Sequence, residues 1–173
     1  LKLLVAELIK KNILPVIIGG GQDLTYPQFM AYEELEQKVD LLVVDSHFDL
    51  DDNIDGTIET TSISYLNKIF LHEPNFLFNF SNIGYQTFYV NQESLKLMDK
   101  LYFDVHRLGD FASNINLAEP VIRNANMISF DISAIRSSDA AGNANATPNG
   151  FYGENACQIA RYAGMNDKLS SIG

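Results

Sequence analysis

The stretch Leu41-Leu42-Val43-Val44-Asp45-Ser46-His47-Phe48-Asp49 most limits what this chain can fold into. Its unbroken apolar start reads as a strand buried on both faces, as in a parallel sheet covered by helices. If the backbone stays extended past Val44, side chains two apart point the same way. Asp45, His47 and Asp49 then converge just beyond the strand's carboxyl end, the edge at which open α/β sheets bind ligands. Two carboxylates and one imidazole form a mixed oxygen and nitrogen set suited to Mn, Fe, Ni or Zn. The same residues also fit a polar strand end whose aspartates cap the next helix.

The rest of the chain alternates in the same style. Leu1, Leu4, Val5 and Leu8 recur at helical spacing, and Lys10-Lys11-Asn12 suits a helix end. Leu14 to Ile18 reads as a buried strand, Gly19-Gly20-Gly21-Gln22-Asp23 as a turn, and Tyr26 to Gln37 as a helix starting near Pro27. Val39 to Asp45 is the next strand. Ser46 to Thr61 is a polar loop holding Asp49, Asp51, Asp52 and Asp55. Ser62 to Leu71 reads as a helix, Asn75 to Ile83 as a strand, Gln92 to Lys100 as a helix and Leu101 to Val105 as a short strand. Asn114 to Arg123 reads as a helix that Pro120 is able to break, Met127 to Ile132 as a buried strand, and Gly153 to Ala163 as a helix. Strand and helix alternation predicts an α/β protein: three α/β/α layers around a mainly parallel sheet. The loop at 133–152, rich in Ala, Asn, Gly and Ser, is too long for a plain connector and is a candidate binding loop.

Length and charge narrow the function classes. The 173 residues suffice for one domain with a real core, read here as 1–173. The chain starts within an expected helix without Met and stops where a strand begins, so the domain is expected to be incomplete at both ends. A net charge of −10 argues against a nucleic acid or an anionic membrane as partner. No apolar run approaches the ~20 residues of a membrane span. The single cysteine, Cys157, cannot form an internal disulfide and fits a reducing, cytoplasmic setting. On its helix it reads as core. His72 reads as exposed, and His106 as a structural residue at a strand end.

Two further motifs complete the pattern. Gly19-Gly20-Gly21-Gln22-Asp23 lacks the spacing of a phosphate loop and reads better as a tight strand-to-helix turn. Ser129-Phe130-Asp131-Ile132-Ser133 ends a buried strand with an acid at its tip, which serves equally as a site residue or a helix cap. In a parallel sheet that tip shares an edge with Asp45 and Gln22.

Taken in order, Gly-Gly-Gly-x-Asp, Asp-x-His-x-Asp and Ser-Phe-Asp resemble the ureohydrolases: arginase, agmatinase and formimidoylglutamase. Gly-Gly-Gly-Gln-Asp, Asp-Ser-His-Phe-Asp-Leu and Asn82-Ile83-Gly84-Tyr85-Gln86 look most like formimidoylglutamase-type members. The resemblance implies an arginase-like fold with a paired manganese site, whose bridging hydroxide attacks a guanidino or formimino carbon. It places Asp45, His47, Asp49 and Asp131 at metal-ligand positions. Gln22 stands where the family has a ligand His, Ser133 where it has a ligand Asp, and Arg136 where a further Asp is usual. Three ligand carboxylates against two divalent ions is an adverse balance, and an inward Arg136 would add repulsion of several kcal/mol by order of magnitude. The expectation is therefore a degraded site holding no manganese or one ion, with Arg136, or failing that a lysine or a water network, filling the vacated region where Asp45 and Asp131 face each other. The implied ligand is a small, nitrogenous, amino-acid-like molecule, and a homo-oligomer is compatible. Three functions follow: a weak or inactive relative of the amidine C–N hydrolases, an active formimidoylglutamase with an altered ligand set, or a non-catalytic binding or structural subunit.

Overall fold

The apolar run at the centre of the chain forms β1 (Val39–Val44). Its alternating side chains enter two separate cores, as burial on both faces requires. Val39, Leu41 and Val43 pack with Phe29, Tyr32, Tyr65 and Phe80, while Leu42 and Val44 pack with Ile83, Ile122, Ile128 and Phe151. The computed structural model describes residues 1–50 and 60–173. The expected loop acids Asp51, Asp52 and Asp55 lie outside the described residues.

Beside β1 lie β2 (Leu77–Tyr85), β3 (Asp104–Arg107), β4 (Met127–Phe130) and β5 (Ser171–Ile172). The sheet order is β3-β2-β1-β4-β5 and every pairing is parallel. Helices α1 (Lys2–Lys10), α2 (Thr25–Glu34), α3 (Tyr65–Leu71) and α4 (Gln92–Lys100) serve one face. Phe29 and Tyr32 of α2, Tyr65, Leu66 and Ile69 of α3, and Met98 of α4 fill that core, and α1 lies outside α2 through Val5, Ala6 and Ala31. On the other face are α5 (Leu108–Ala112), α6 (Glu119–Asn124) and α7 (Gly153–Gly164). Phe111, Ile122 and Ile159 are their core residues. The molecule is thus a three-layer α/β/α protein, as its strand and helix alternation predicts.

Register places the tips. Val44 pairs with Phe130, and the Asp131 N–H donates to the Val44 carbonyl at 2.9 Å. Asp45 and Asp131 therefore leave neighbouring strands on the same carboxyl edge. Gly84 in β2 has φ +104, and a Cβ there would meet the Phe151 ring at 2.6 Å, so glycine is required where the loop after β4 folds over β2.

Several expectations need correction. Leu14 to Ile18 is not a buried strand: Val16 alone forms a bridge, to Ile172, and Leu14, Val16 and Ile18 are exposed. The segment lies outside β5, which is only two residues long and offers little ladder to extend. The expected helix from Asn114 to Arg123 is divided into a 3-10 turn (Ile115–Ala118) and α6, with Pro120 in the first turn of α6, where its missing N–H costs nothing. The short α5 follows β3 directly, in a stretch whose sequence carries no helical periodicity. Cys157 is exposed, because α7 turns Ala156, Ile159, Tyr162 and Ala163 inward and the cysteine falls off that stripe. His72 is tucked between α2 and α3, with Nε2 3.1 Å from Glu33 Oε2 and Nδ1 3.3 Å from the Tyr26 hydroxyl. His106 lies on β3 against the Phe111 ring.

Candidate functional site

β1 ends at Val44 and the chain turns at once. The Asp45 carboxylate accepts from the His47 N–H at 3.0 Å, a local turn that competes with continued extension. Asp49 has a left-handed φ of +48. The expected strand-like alternation past Val44 is therefore absent. Asp45, His47 and Asp49 nonetheless all line one cavity of about 490 Å³, together with Asp131, Ser133, Tyr89 and the 144–147 segment. Folding of the loop does what extension was expected to do.

Asp45 is the best-buried acid of the group, 2% exposed. Its Oδ1 also accepts from the Ser133 hydroxyl at 3.3 Å and lies 3.5 Å from the Ser46 hydroxyl. Asp131 Oδ1 accepts from the Ser133 N–H at 2.6 Å. Ser133 thus ties the two strand-tip acids together through one backbone and one side-chain hydrogen bond. Burial pushes the Asp131 carboxyl above its usual range, and the Asp45 charge adds to the rise, while the Ser133 bonds and His47 oppose it. The His47 ring stacks on Tyr89 at 4.5 Å and 16°, and its Nδ1 lies 2.8 Å from the Ser46 hydroxyl. Tyr89 carries no signal in the sequence: an aromatic residue in a polar turn has no periodicity to expose its role.

Gln22 stands apart. It opens a 3-10 turn (Gln22–Leu24) and lines a second cavity of about 380 Å³ with the Gly19–Gly21 loop, Ser129 and Asp131. Its Nε2 is 3.5 Å from the Ser129 hydroxyl, and its buried Oε1 has no hydrogen-bond partner among the described residues. Asp131 borders both cavities. Arg136 corrects the sequence reading most clearly. It does not enter the space between Asp45 and Asp131: its Nε pairs with Asp139 Oδ2 at 3.0 Å and its guanidinium lies 3.9 Å from the Tyr152 ring centroid. Asp139 is held down at about 2 by the paired Arg136 guanidinium and then by the Gly153 N–H.

As arranged, several donors at the expected ligand positions are engaged elsewhere. Asp45 Oδ1 already faces protein donors, Ser133 offers a neutral hydroxyl, and Gln22 faces the neighbouring cavity. Among the described residues, no three of His, Cys, Asp and Glu stand close enough together to hold a metal ion.

A sequence model of the arginase family matches residues 1–172. The chain belongs to the arginase family. Its fold is similar to that of Trypanosoma cruzi formiminoglutamase with manganese, with TM-score 0.88, 18% identity, and 99% of this chain and 59% of that one covered. The corresponding values for formimidoylglutamase from Bacillus subtilis are 0.83, 18%, 99% and 56%. For Bacillus caldovelox arginase they are 0.79, 11%, 99% and 63%. This arginase-family chain therefore spans less than two thirds of the length of these structures. No curated protein matches it. No helix among the described residues is long and apolar enough to cross a membrane.

Proposed function

We propose that this arginase-family chain keeps the hydrolase fold and uses its acidic cavity for the amidinium or guanidinium group of a small, nitrogenous, amino-acid-like ligand. On this reading its metal site is degraded, and it acts weakly or not at all on the linear amidine C–N bond of formiminoglutamate or of a guanidino compound. One observation carries the reading. Among the described residues, the cavity wall presents the strand-tip acids Asp45 and Asp131 beside His47 and includes no lysine or arginine. Arg136, the nearest candidate counter-charge in the sequence pattern, is paired with Asp139. A planar amidinium or guanidinium supplies paired N–H donors to carboxylates. It would also relieve the like-charge strain that helps raise Asp131, so binding should tighten as pH rises through that raised value. The cavity volume falls in the range of small-molecule sites.

The chain's own groups then bind and orient without a derived chemical step. Ser133 holds Asp45 and Asp131 in register, and Ser46 and Tyr89 fix the His47 ring. The second reading, an active manganese-dependent formimidoylglutamase with an altered ligand set, is favoured by the manganese in the T. cruzi formiminoglutamase structure, on a similar fold. Calorimetric titration of the intact protein with formiminoglutamate, arginine and agmatine, alongside manganese stoichiometry and turnover, separates the two. The expected result is binding of at least one ligand, no manganese or one ion per chain, and turnover far below the usual range of order 1–10³ per second. Turnover within that range supports the second reading. No binding of any of the three removes the first.

A further inference from the structure

The 137–151 segment is long, polar and poor in apolar anchors, yet its 144–147 stretch forms one wall of the acidic cavity. Its two ends are fastened to each other. The Arg136 N–H donates to the Phe151 carbonyl at 3.1 Å, the Phe151 N–H to Ala134 at 2.8 Å, and the Ser137 N–H to Thr147 at 2.7 Å. A Cβ on Gly150 would strike the Arg136 N and lie 2.8 Å from the Ala134 carbonyl, so the two ends run against each other backbone to backbone. Phe151 anchors the returning end in the core at 0% exposed. Side chains then lock the junction. Asp139 Oδ2 accepts from the Gly153 N–H at 2.7 Å and pairs with Arg136, whose guanidinium covers the Tyr152 ring, while the Ser138 hydroxyl donates to Asp139 Oδ1 at 3.0 Å.

We propose that Arg136, Asp139 and Tyr152 form a clasp that holds the 137–151 segment as a preformed wall of the acidic cavity, making Arg136 a positioning residue that acts on the cavity without lining it. Its role as a positioning residue for binding rests on the ligand reading above; the clasp itself does not. A planar guanidinium suits this place because one face stacks on an aromatic ring while the edge pairs with a carboxylate. A lysine could keep the pairing but not the stacking.

Amide hydrogen exchange on the intact protein tests the clasp. Arg136→Ala and Asp139→Asn should each speed exchange of peptides within 137–151 by about tenfold, leaving β1 and β4 peptides at parental rates. Arg136→Lys should restore part of the protection. Parental exchange in 137–151 for both variants overturns the clasp, and so does an equal rise in β1 and β4, which would mark general destabilisation. With L-arginine and formiminoglutamate as probes, Arg136→Ala should weaken any parental binding severalfold, and unchanged affinity overturns the positioning role. If exchange responds as expected while neither probe binds the parent, the clasp stands and the ligand reading fails.

Discussion

Replacing Ser133 with Asp probes the strand-tip acids directly. In the parent, the Ser133 hydroxyl lies 3.3 Å from Asp45 Oδ1 and is 4% exposed as a residue. Ser133→Asp removes a hydrogen bond to a charged acceptor, worth ~1.5–3 kcal/mol. It also sets a third carboxylate against Asp45 and Asp131. At roughly 4 Å and an effective dielectric of about 20, one such repulsion is ~4 kcal/mol. Proton uptake limits the cost: at ~1.4 kcal/mol per pKa unit, an acid raised by about three units is half neutral near pH 7. Together the two terms give an expected destabilisation at pH 7 without metal of ~6 kcal/mol, a fall in Tm of ~12–24 °C for a chain of this length. The sign with pH follows from a raised carboxyl: the electrostatic penalty is absent below the ordinary carboxylate range, grows as pH rises from there to the raised value and is complete above it. With Gln22→His added, manganese at about 100 times its Kd should return ~2.7 kcal/mol. Urea unfolding at pH 5 and pH 7, with and without manganese, on the parent and both variants, is the assay. Parental stability of Ser133→Asp at pH 7 without metal would refute the electrostatic reasoning. A manganese shift in the parent as large as in the double variant would refute the view that positions 22 and 133 limit binding.

Three further outcomes are expected. Phe80→Ala empties a fully buried position between the Phe70 and Phe103 rings and should cost ~3–5 kcal/mol in denaturant unfolding. Tyr65→Phe removes a buried hydroxyl with no hydrogen-bond partner among the described residues, so stability should be unchanged or rise by up to ~1–2 kcal/mol in the same assay. Asp139, lowered from 3.8 to about 2, contributes stability that is complete above its unfolded value and lost as pH falls through the folded one. Exchange protection in 137–151 should therefore drop between those two values in the parent and stay flat in Asp139→Asn.

The layers and the edge are written in residue order alone. A run such as Leu41 to Val44 has no polar face to give to water, so it needs helices on both sides, and short strands alternating with helices leave a parallel sheet as the economical answer. Parallel pairing then brings every strand tip to one edge, which is why Asp45 and Asp131 were legible as neighbours from order alone. Tertiary structure decided where each side chain beyond a strand end points, because no periodicity constrains a residue once the ladder stops. His47 and Asp49 reach the cavity through a turn built on the Asp45 carboxylate, not through alternation. Arg136 turns to Asp139 and Tyr152 because a carboxylate and an aromatic face lie within reach on its own loop. His72 is enclosed because Glu33 and Tyr26 come from a helix 39 and 46 residues away in sequence. Leu14 to Ile18 has the composition of a buried strand, yet burial depends on what lies alongside it, and among the described residues its strand neighbour is the two-residue β5.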